Sequence, residues 1–441
     1  MKARSRMLFA LACGVCSLWT AHNAAIGAPA PVVTVKTDRP DALYKCGEKA
    51  TFQVSVKRDN QPVTAGSVLV ALTLDGNRPV AKEELALGEN AATVSGSLAE
   101  PGFLRCTVTW QDAAQSVTGL GGAGFEPERI KAAATMPEDF NAFWDAGRAE
   151  LTAIPLDVQL TPLPAQSNAQ QDSFKISFAN VDNTRIYGFL SVPKGKQPPF
   201  PAYVTVPSAG IGKPREPLGS LAAGGRLALT VGVHPHDLGL PDEEYKKLGV
   251  GELGGYTSKG APDREKYYFR RAILGVDRAI TWLASRPDYD GKHLVIEGSS
   301  QGGAFALILA GLNPHITAAA ANVPALCDHA GYLAGRQPGW PNLVWRMPAD
   351  KQQEFLKMSA YFDAVNFARR IKCPAIVSVG FIDTTCSPSS VYAAFNEIRS
   401  PKRIFHGPLV GHGLPEEFGK FSPGWEAGQL GLGKAIPPTK E

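Results

Sequence analysis

Gly298-Ser299-Ser300-Gln301-Gly302 sets a serine between two glycines, directly after the apolar run Leu294 to Ile296 and before Ala304, Leu307 and Ala310 at helical spacing. A serine on a sharp strand-to-helix turn has its hydroxyl held clear of the sheet, and the glycines let strand and helix approach without a side-chain clash. Ser300 is therefore the candidate nucleophile. A serine hydroxyl attacks a carbonyl only when a base takes its proton and an acid orients that base and stabilises its charged form. With the serine on such a turn, the acid and then the histidine follow along the chain. Asp383 lies a few residues after the apolar run Ala375 to Val379, where a strand-end loop places a carboxylate at the sheet's C-terminal edge. His412, in Gly411-His412-Gly413, follows one more short strand, Arg403 to Phe405. Their rivals are His406, almost at the strand end as a packed histidine would be, and Asp363, after the helical segment Phe355 to Phe362, where a surface or capping role fits.

A tetrahedral intermediate needs two donors for its oxyanion. The Gln301 amide is one. Pro207-Ser208-Ala209-Gly210-Ile211-Gly212 follows the strand Ala202 to Val206 and offers the Ala209 amide, with Gly210 beside it, as the second; a glycine-rich turn without a catalytic part is the plain alternative. His234-Pro235-His236-Asp237 follows Leu227 to Val233, and hydrogen-bonded loop histidines fit it better than metal ligation. Beyond residue 27, no CxxC or Cys/His spacing points to a metal site. Tyr332, Arg336, Trp340 and Trp345 form an irregular aromatic stretch, either a substrate pocket whose rings stack on sugars or a local core.

The elements that must position these residues begin with period-two alternation from about Val32 to Gly122: Phe52, Val54, Val56; Val68, Val70, Leu72, Leu74; Leu104, Cys106, Val108, Trp110. Turn signals separate these runs, so residues 28–122 are expected to form an immunoglobulin-like sandwich of about seven strands. The glycine-rich stretch Gly119 to Gly124 reads as the start of a linker, set at 123–134. Thr135, Pro137 and Glu138 resemble a capping box before a helix with Phe140, Phe143, Trp144 and Gly147 on one face. From there to residue 421, strands and helices alternate, which predicts a mostly parallel sheet covered on both faces, an α/β domain. Residues 422–441 read as a tail without a core of its own.

The 441 residues, 44% hydrophobic and 20% charged, have an ordinary globular balance. Lys2, Arg4 and Arg6 precede the 13-residue apolar run Met7 to Trp19, and small residues follow at Ala24, Ala25, Gly27 and Ala28. This is the pattern of an export signal, residues 1–27, and the run is shorter than the ~20 residues of a membrane span. Its removal leaves a net charge near +1 of the original +4, which gives no reason to expect nucleic acid or a membrane surface as partner. Five cysteines remain, and in an exported protein Cys46 with Cys106 is the favoured pair, two buried reduced cysteines being the alternative.

From about Thr135 to Phe421 the chain resembles the acetyl xylan esterase and cephalosporin C deacetylase family of α/β-hydrolases. The resemblance rests on Gly298-Ser299-Ser300-Gln301-Gly302-Gly303, on Tyr267-Tyr268-Phe269-Arg270-Arg271, on Asp383-Thr384-Thr385-Cys386-Ser387-Pro388-Ser389-Ser390, and on Gly411-His412. It implies an α/β-hydrolase fold, the triad Ser300, Asp383 and His412, and removal of acetyl groups from xylan-derived oligosaccharides and small acetyl esters without a cofactor. The chain departs from that family in three ways. Pro207-Ser208-Ala209 stands where His-Gly-Tyr is frequent, the acid loop reads Cys-Ser-Pro-Ser-Ser, and a sandwich precedes the catalytic part. Members often form closed hexamers, so a homo-oligomer is one expectation, which an added domain could block. A serine peptidase of the prolyl oligopeptidase kind and a carbohydrate-binding protein with a silent hydrolase domain are the alternatives. The first usually carries a large propeller, and the second does not require three filled triad positions.

Overall fold

The computed structural model describes residues 30–113, 115–212 and 216–438. The expected export signal lies outside them. The chain first forms β1 (Val32–Thr37), β2 (Leu43–Tyr44), β3 (Ala50–Arg58), β4 (Gln61–Pro62), β5 (Ser67–Leu74), β6 (Arg78–Ala86), β7 (Ala92–Gly96), β8 (Gly102–Gln111) and β9 (Ser116–Phe125). One sheet joins β1, β3, β4 and β7; the other runs β2-β9-β8-β5-β6. The alternating residues of β3, β5 and β8 close on a common core, which follows from their period of two. The strand count exceeds the expected seven partly because β2 and β4 have only two residues each.

Gly119 to Gly124 is not a linker. It lies within β9, where glycine serves close approach on both faces of the strand. A Cβ on Gly119 would lie 2.6 Å from the Val33 carbonyl oxygen inside the β domain, and one on Gly122 would lie 2.4 Å from the Phe381 carbonyl oxygen outside it. The rest of the expected linker is pinned as well: Asp328 accepts hydrogen bonds from the Ala133 and Ala134 amides, and Asn396 donates to the Pro127 and Ile130 carbonyls. The Cys46–Cys106 pair does not form, and both are free thiols. Cys106 lies opposite Gly121 of β9, whereas the Cys46 amide bonds Glu126 beyond the end of that strand. Five residues of strand separate those two positions by roughly 17 Å, far beyond disulfide reach.

Helix α1 (Phe140–Ala153) starts after Asp139, whose side chain makes no capping bond, so the Thr135 capping box is absent. Its buried face, Phe140, Phe143, Trp144 and Gly147, is the expected one. There follow β10 (Gln159–Pro162), β11 (Gln171–Asn180), β12 (Thr184–Pro193), β13 (Phe200–Val206), α2 (Gly219–Ala223), β14 (Leu227–Val231), α3 (Asp242–Val250), α4 (Tyr268–Ala284), β15 (Tyr289–Ser299) and α5 (Gln301–Leu312). The chain continues through β16 (Ala318–Asn322), α6 (Ala349–Ser359), α7 (Ala364–Ala368), β17 (Ala375–Gly380), α8 (Pro388–Glu397), β18 (Lys402–Gly407) and α9 (Glu416–Gln429). The strands make one sheet in the order β10-β11-β12-β14-β13-β15-β16-β17-β18. It is antiparallel from β10 to β14 and parallel from there to β18.

Both faces of this sheet are covered, which is why its central strands are apolar without alternation. Ala202, Val204, Leu294 and Ile296 face the large core on one side. Tyr203, Val295, Ala318, Ala320 and Ile376 face the other side, where Phe418, Trp425 and Leu430 of the α9 region cover them. The expected tail is therefore part of a core: α9 runs to Gln429, and Trp425 is fully buried. The isolated sequence of that segment, rich in glycine and proline, hides this because only Trp425, Leu430 and, in part, Ile436 do the covering.

Candidate active site

Ser300 sits between β15 and α5 with φ 57° and ψ −118°, a backbone conformation that side chains other than glycine adopt only under constraint. The constraint is visible. The Ser300 amide donates to the Asn322 carbonyl at 2.9 Å, and the Ser300 carbonyl accepts from the Ala325 amide at 3.0 Å. A Cβ on Gly298 would lie 2.3 Å from the Gly302 carbonyl carbon, so the crossing of strand and helix at this turn requires glycine.

Parallel strands β17 and β18 deliver the other two residues to the same sheet edge. His412 Nε2 lies 2.9 Å from Ser300 Oγ, and His412 Nδ1 lies 2.8 Å from Asp383 Oδ2. Asp383 is fully buried, and its Oδ1 accepts from the Thr385 amide at 2.7 Å and the Cys386 amide at 3.0 Å. Those two bonds orient the carboxylate and leave Oδ2 for the imidazole. The proton then belongs on Nδ1, and Nε2 is free to accept from the serine hydroxyl. The His412 side chain is 31% exposed.

The rivals have other posts. His406 Nε2 and the Tyr392 hydroxyl are 2.6 Å apart, and the ring packs on Phe381. Asp363 caps α7 through the Val365 amide and also accepts from the Asp328 and His329 amides. It is buried, so of the two roles expected for it only capping applies.

The loop after β13 faces the turn. Ser208 Oγ donates to the Ser299 carbonyl at 3.0 Å, which ties Ala209 and Gly210 to the Ser300 segment. The Gln301 amide is at the first position of α5, where a helix leaves its N–H groups without internal acceptors. His234 Nε2 lies 2.9 Å from the Gly210 carbonyl, and its Nδ1 lies 2.6 Å from the Tyr268 hydroxyl. Burial lowers the His234 pKa, so the ring is neutral, donating through Nε2 and accepting at Nδ1. His236 faces Glu252 at 3.3 Å. His234 is thus hydrogen-bonded to α4 and to the loop after β13. A cleft of about 210 Å³ opens here, lined among others by Ser208, Gly210, His234, Leu238 and Tyr245.

The four residues of the aromatic stretch have different surroundings. Arg336 is buried, with Nη2 donating to Asp328 Oδ2 at 2.7 Å and to the Lys131 carbonyl at 3.1 Å. Tyr332 and Trp340 pack half-buried on the main core, and of the four only Trp345 is exposed. Two contacts escaped the sequence reading. The Tyr256 hydroxyl donates to Gln301 Oε1 at 2.7 Å, with no local signal to announce it. The Cys386 thiol lies against Ser300, its ligand atom within 4.8 Å of those of Asp383 and His412. Burial raises the pKa of that thiol well above its ordinary range. The spacing Asp383-x-x-Cys386 was its only sequence signal.

A mixed sheet covered by helices, with a serine on the strand-to-helix turn, is the α/β-hydrolase-like fold, and the chain is a carboxylic ester hydrolase. More particularly, it belongs to the acetyl xylan esterase (AXE1) family, whose model matches residues 126–420. It is 33% identical over 382 residues to the acetyl esterase Axe7A of Xylanibacter ruminicola, covering 86% of each chain. That similarity is too long to fit after residue 125 and so extends into the β domain. An acetyl xylan esterase from Paenibacillus sp. R4 superposes with a TM-score of 0.60 at 27% identity, over 68% of this chain and 98% of that one. Acetyl xylan esterase 1 from a Thermoanaerobacterium species gives 0.60 at 23% identity, over 70% and 98%.

Proposed function

We propose that this protein is an exported serine esterase that removes acetyl groups from O-acetylated carbohydrates, xylan or xylo-oligosaccharides foremost, through an acyl-enzyme. The observation that carries the reading is the unbroken hydrogen-bond chain from Ser300 Oγ through His412 to buried Asp383. His412 takes the serine proton as Oγ attacks the acetyl carbon. The Gln301 amide and the Ala209 or Gly210 amide receive the oxyanion. His412 returns the proton to the leaving sugar hydroxyl, and water activated by the same imidazole releases acetate. Every step uses groups of the chain itself, so no cofactor is invoked.

The names of the relatives support acetyl as the acyl group and xylan as the carrier. Export rests on the leader pattern of residues 1–27, and no helix of the described residues is long and apolar enough to cross a membrane. The two-sheet N-terminal domain is read as an immunoglobulin-like sandwich. The test is acetate release from acetylated xylo-oligosaccharides by the protein and by Ser300→Ala, with 4-nitrophenyl acetate and a peptide ester as controls. Release abolished by the substitution is expected. Turnover of the simple ester alone would remove xylan from the reading, and equal inactivity of both proteins on every ester would remove the esterase.

A further inference from the structure

Strand β8 sends Leu104, Cys106 and Val108 into the core of the β domain, and by the period of two it turns Phe103 and Arg105 outward, toward the catalytic domain. Arg105 lies opposite Gly122 of β9, the glycine against which the Phe381 carbonyl packs. Phe103 meets the Phe381 ring edge-on at 5.0 Å. This close docking brings Arg105 Nη2 to 2.7 Å from the backbone carbonyl of Asp383, in a fully buried contact. Arg105 Nη1 lies 3.3 Å from Gln337 Oε1, and Gln337 Nε2 donates to the Thr384 carbonyl at 2.7 Å. Asp75, also in the β domain and fully buried, lies 3.9 Å from Arg105 Nη2 and accepts from Ser389 Oγ.

The segment from Asp383 to Ser389 is thus held at both ends by charged groups of the N-terminal domain. Burying a guanidinium and a carboxylate carries a large desolvation cost, which a contact serving only adhesion between domains does not require. The Asp383 carboxylate is oriented through the Thr385 and Cys386 amides, so its aim at His412 follows the backbone of this loop. We propose that the N-terminal β domain is part of the catalytic apparatus, with Arg105, backed by Asp75, as the positioning residue that fixes the Asp383 loop. This rests on the reading of Asp383 as the acid of the esterase.

The test uses the full chain and 4-nitrophenyl acetate. Asp75→Asn/Arg105→Met removes both buried charges at once, which avoids stranding one of them, and keeps an acceptor for Ser389. A displacement of about 1 Å at a catalytic group lowers rate on the order of 10²-fold. The expected result is a kcat about 10- to 100-fold lower, KM within about twofold, and a cooperative thermal transition. Arg105→Lys, which keeps a donor, should recover part of the loss. In an Asp383→Asn background the same double substitution should lower kcat by less than about threefold, because both changes act through one group.

An unchanged kcat, a loss carried by KM, or a loss that multiplies with that of Asp383→Asn would overturn the proposal. Should the double variant fail to fold, Gln337→Ala cuts the link to Thr384 and leaves Asp75 and Arg105 in place, with Arg105 Nη1 losing one acceptor. It should lower kcat about threefold at constant KM, and no loss there counts against the proposal. Failure of the esterase reading looks different: wild type and Ser300→Ala would be equally inactive, and the proposal would fall with it.

Discussion

The Val206 carbonyl oxygen occupies the space that a side chain on Gly302 would need, since a Cβ there would lie 2.0 Å away. This close approach joins β13, which carries the Ser208–Gly210 loop, to the first turn of α5 after Ser300. Gly302→Ala must push strand and helix apart, with a destabilisation of about 1–3 kcal/mol typical of overpacking. The displacement falls between the Ser300 turn and its facing loop, so activity should fall more than stability. Thermal melting beside 4-nitrophenyl acetate hydrolysis checks this, and normal turnover by the variant would contradict it.

Ser300 pays for its position in backbone strain. A non-glycine residue held at such a φ costs on the order of 1–3 kcal/mol, while glycine loses about 0.5–1 kcal/mol more on ordering. Ser300→Gly should therefore raise the unfolding free energy by about 1 kcal/mol and lower kcat by about 10⁴-fold or more. Opposite movement of stability and activity is the signature. A variant less stable than wild type would show that the turn is not strained.

The Tyr268 hydroxyl holds His234, which in turn holds the Gly210 carbonyl. Tyr268→Phe deletes one neutral hydrogen bond, about 1 kcal/mol, and leaves His234 Nδ1 unpaired. The Ser208–Gly210 loop then loses its lateral support, and kcat should fall about tenfold with KM little changed. Unaltered kinetics would mean that the loop is held by Ser208 and the backbone alone.

Glu426 is buried beneath the sheet. Burial first, and then Glu297 nearby, pushes its pKa from 4.5 up to about 8. The folded protein therefore keeps a proton that the unfolded chain gives up. Stability from this group is full below pH 4.5 and is lost as pH rises through about 8. Glu426→Gln mimics the protonated carboxyl at every pH and should flatten that decline. Urea midpoints at pH 6 and pH 9 compare the two slopes, and parallel slopes would exclude Glu426 as the source.

Of the five cysteines after residue 27, Cys46 alone is partly exposed, and burial pushes even its thiol up to about 11. A thiol reagent should modify at most one group in the folded protein lacking residues 1–27, and slowly. After denaturation without reductant, all five should react. Recovery of only three would show that one disulfide has formed, and peptide mapping would tell whether it joins Cys46 and Cys106.

The Ser300 turn, the order serine, aspartate, histidine along the chain, and the alternation of strand with helix were legible because each is a local pattern. A strand-turn-helix crossing demands glycines within a few residues, and parallel strands deliver Asp383 and His412 to the edge that Ser300 occupies. Glycine was ambiguous for an equally physical reason. It signals both a flexible linker and a place where two backbones touch, and in Gly119 to Gly124 only the partners Val33 and Phe381 decide between them. The aromatic stretch around Arg336 and the helix carrying Trp425 could not be assigned from sequence, because burial depends on what packs on top. The contact of Arg105 with Asp383 spans 278 positions. An arginine on the outer face of a strand reads locally as a solvated charge, and only the docking of the two domains places it behind the Asp383 loop.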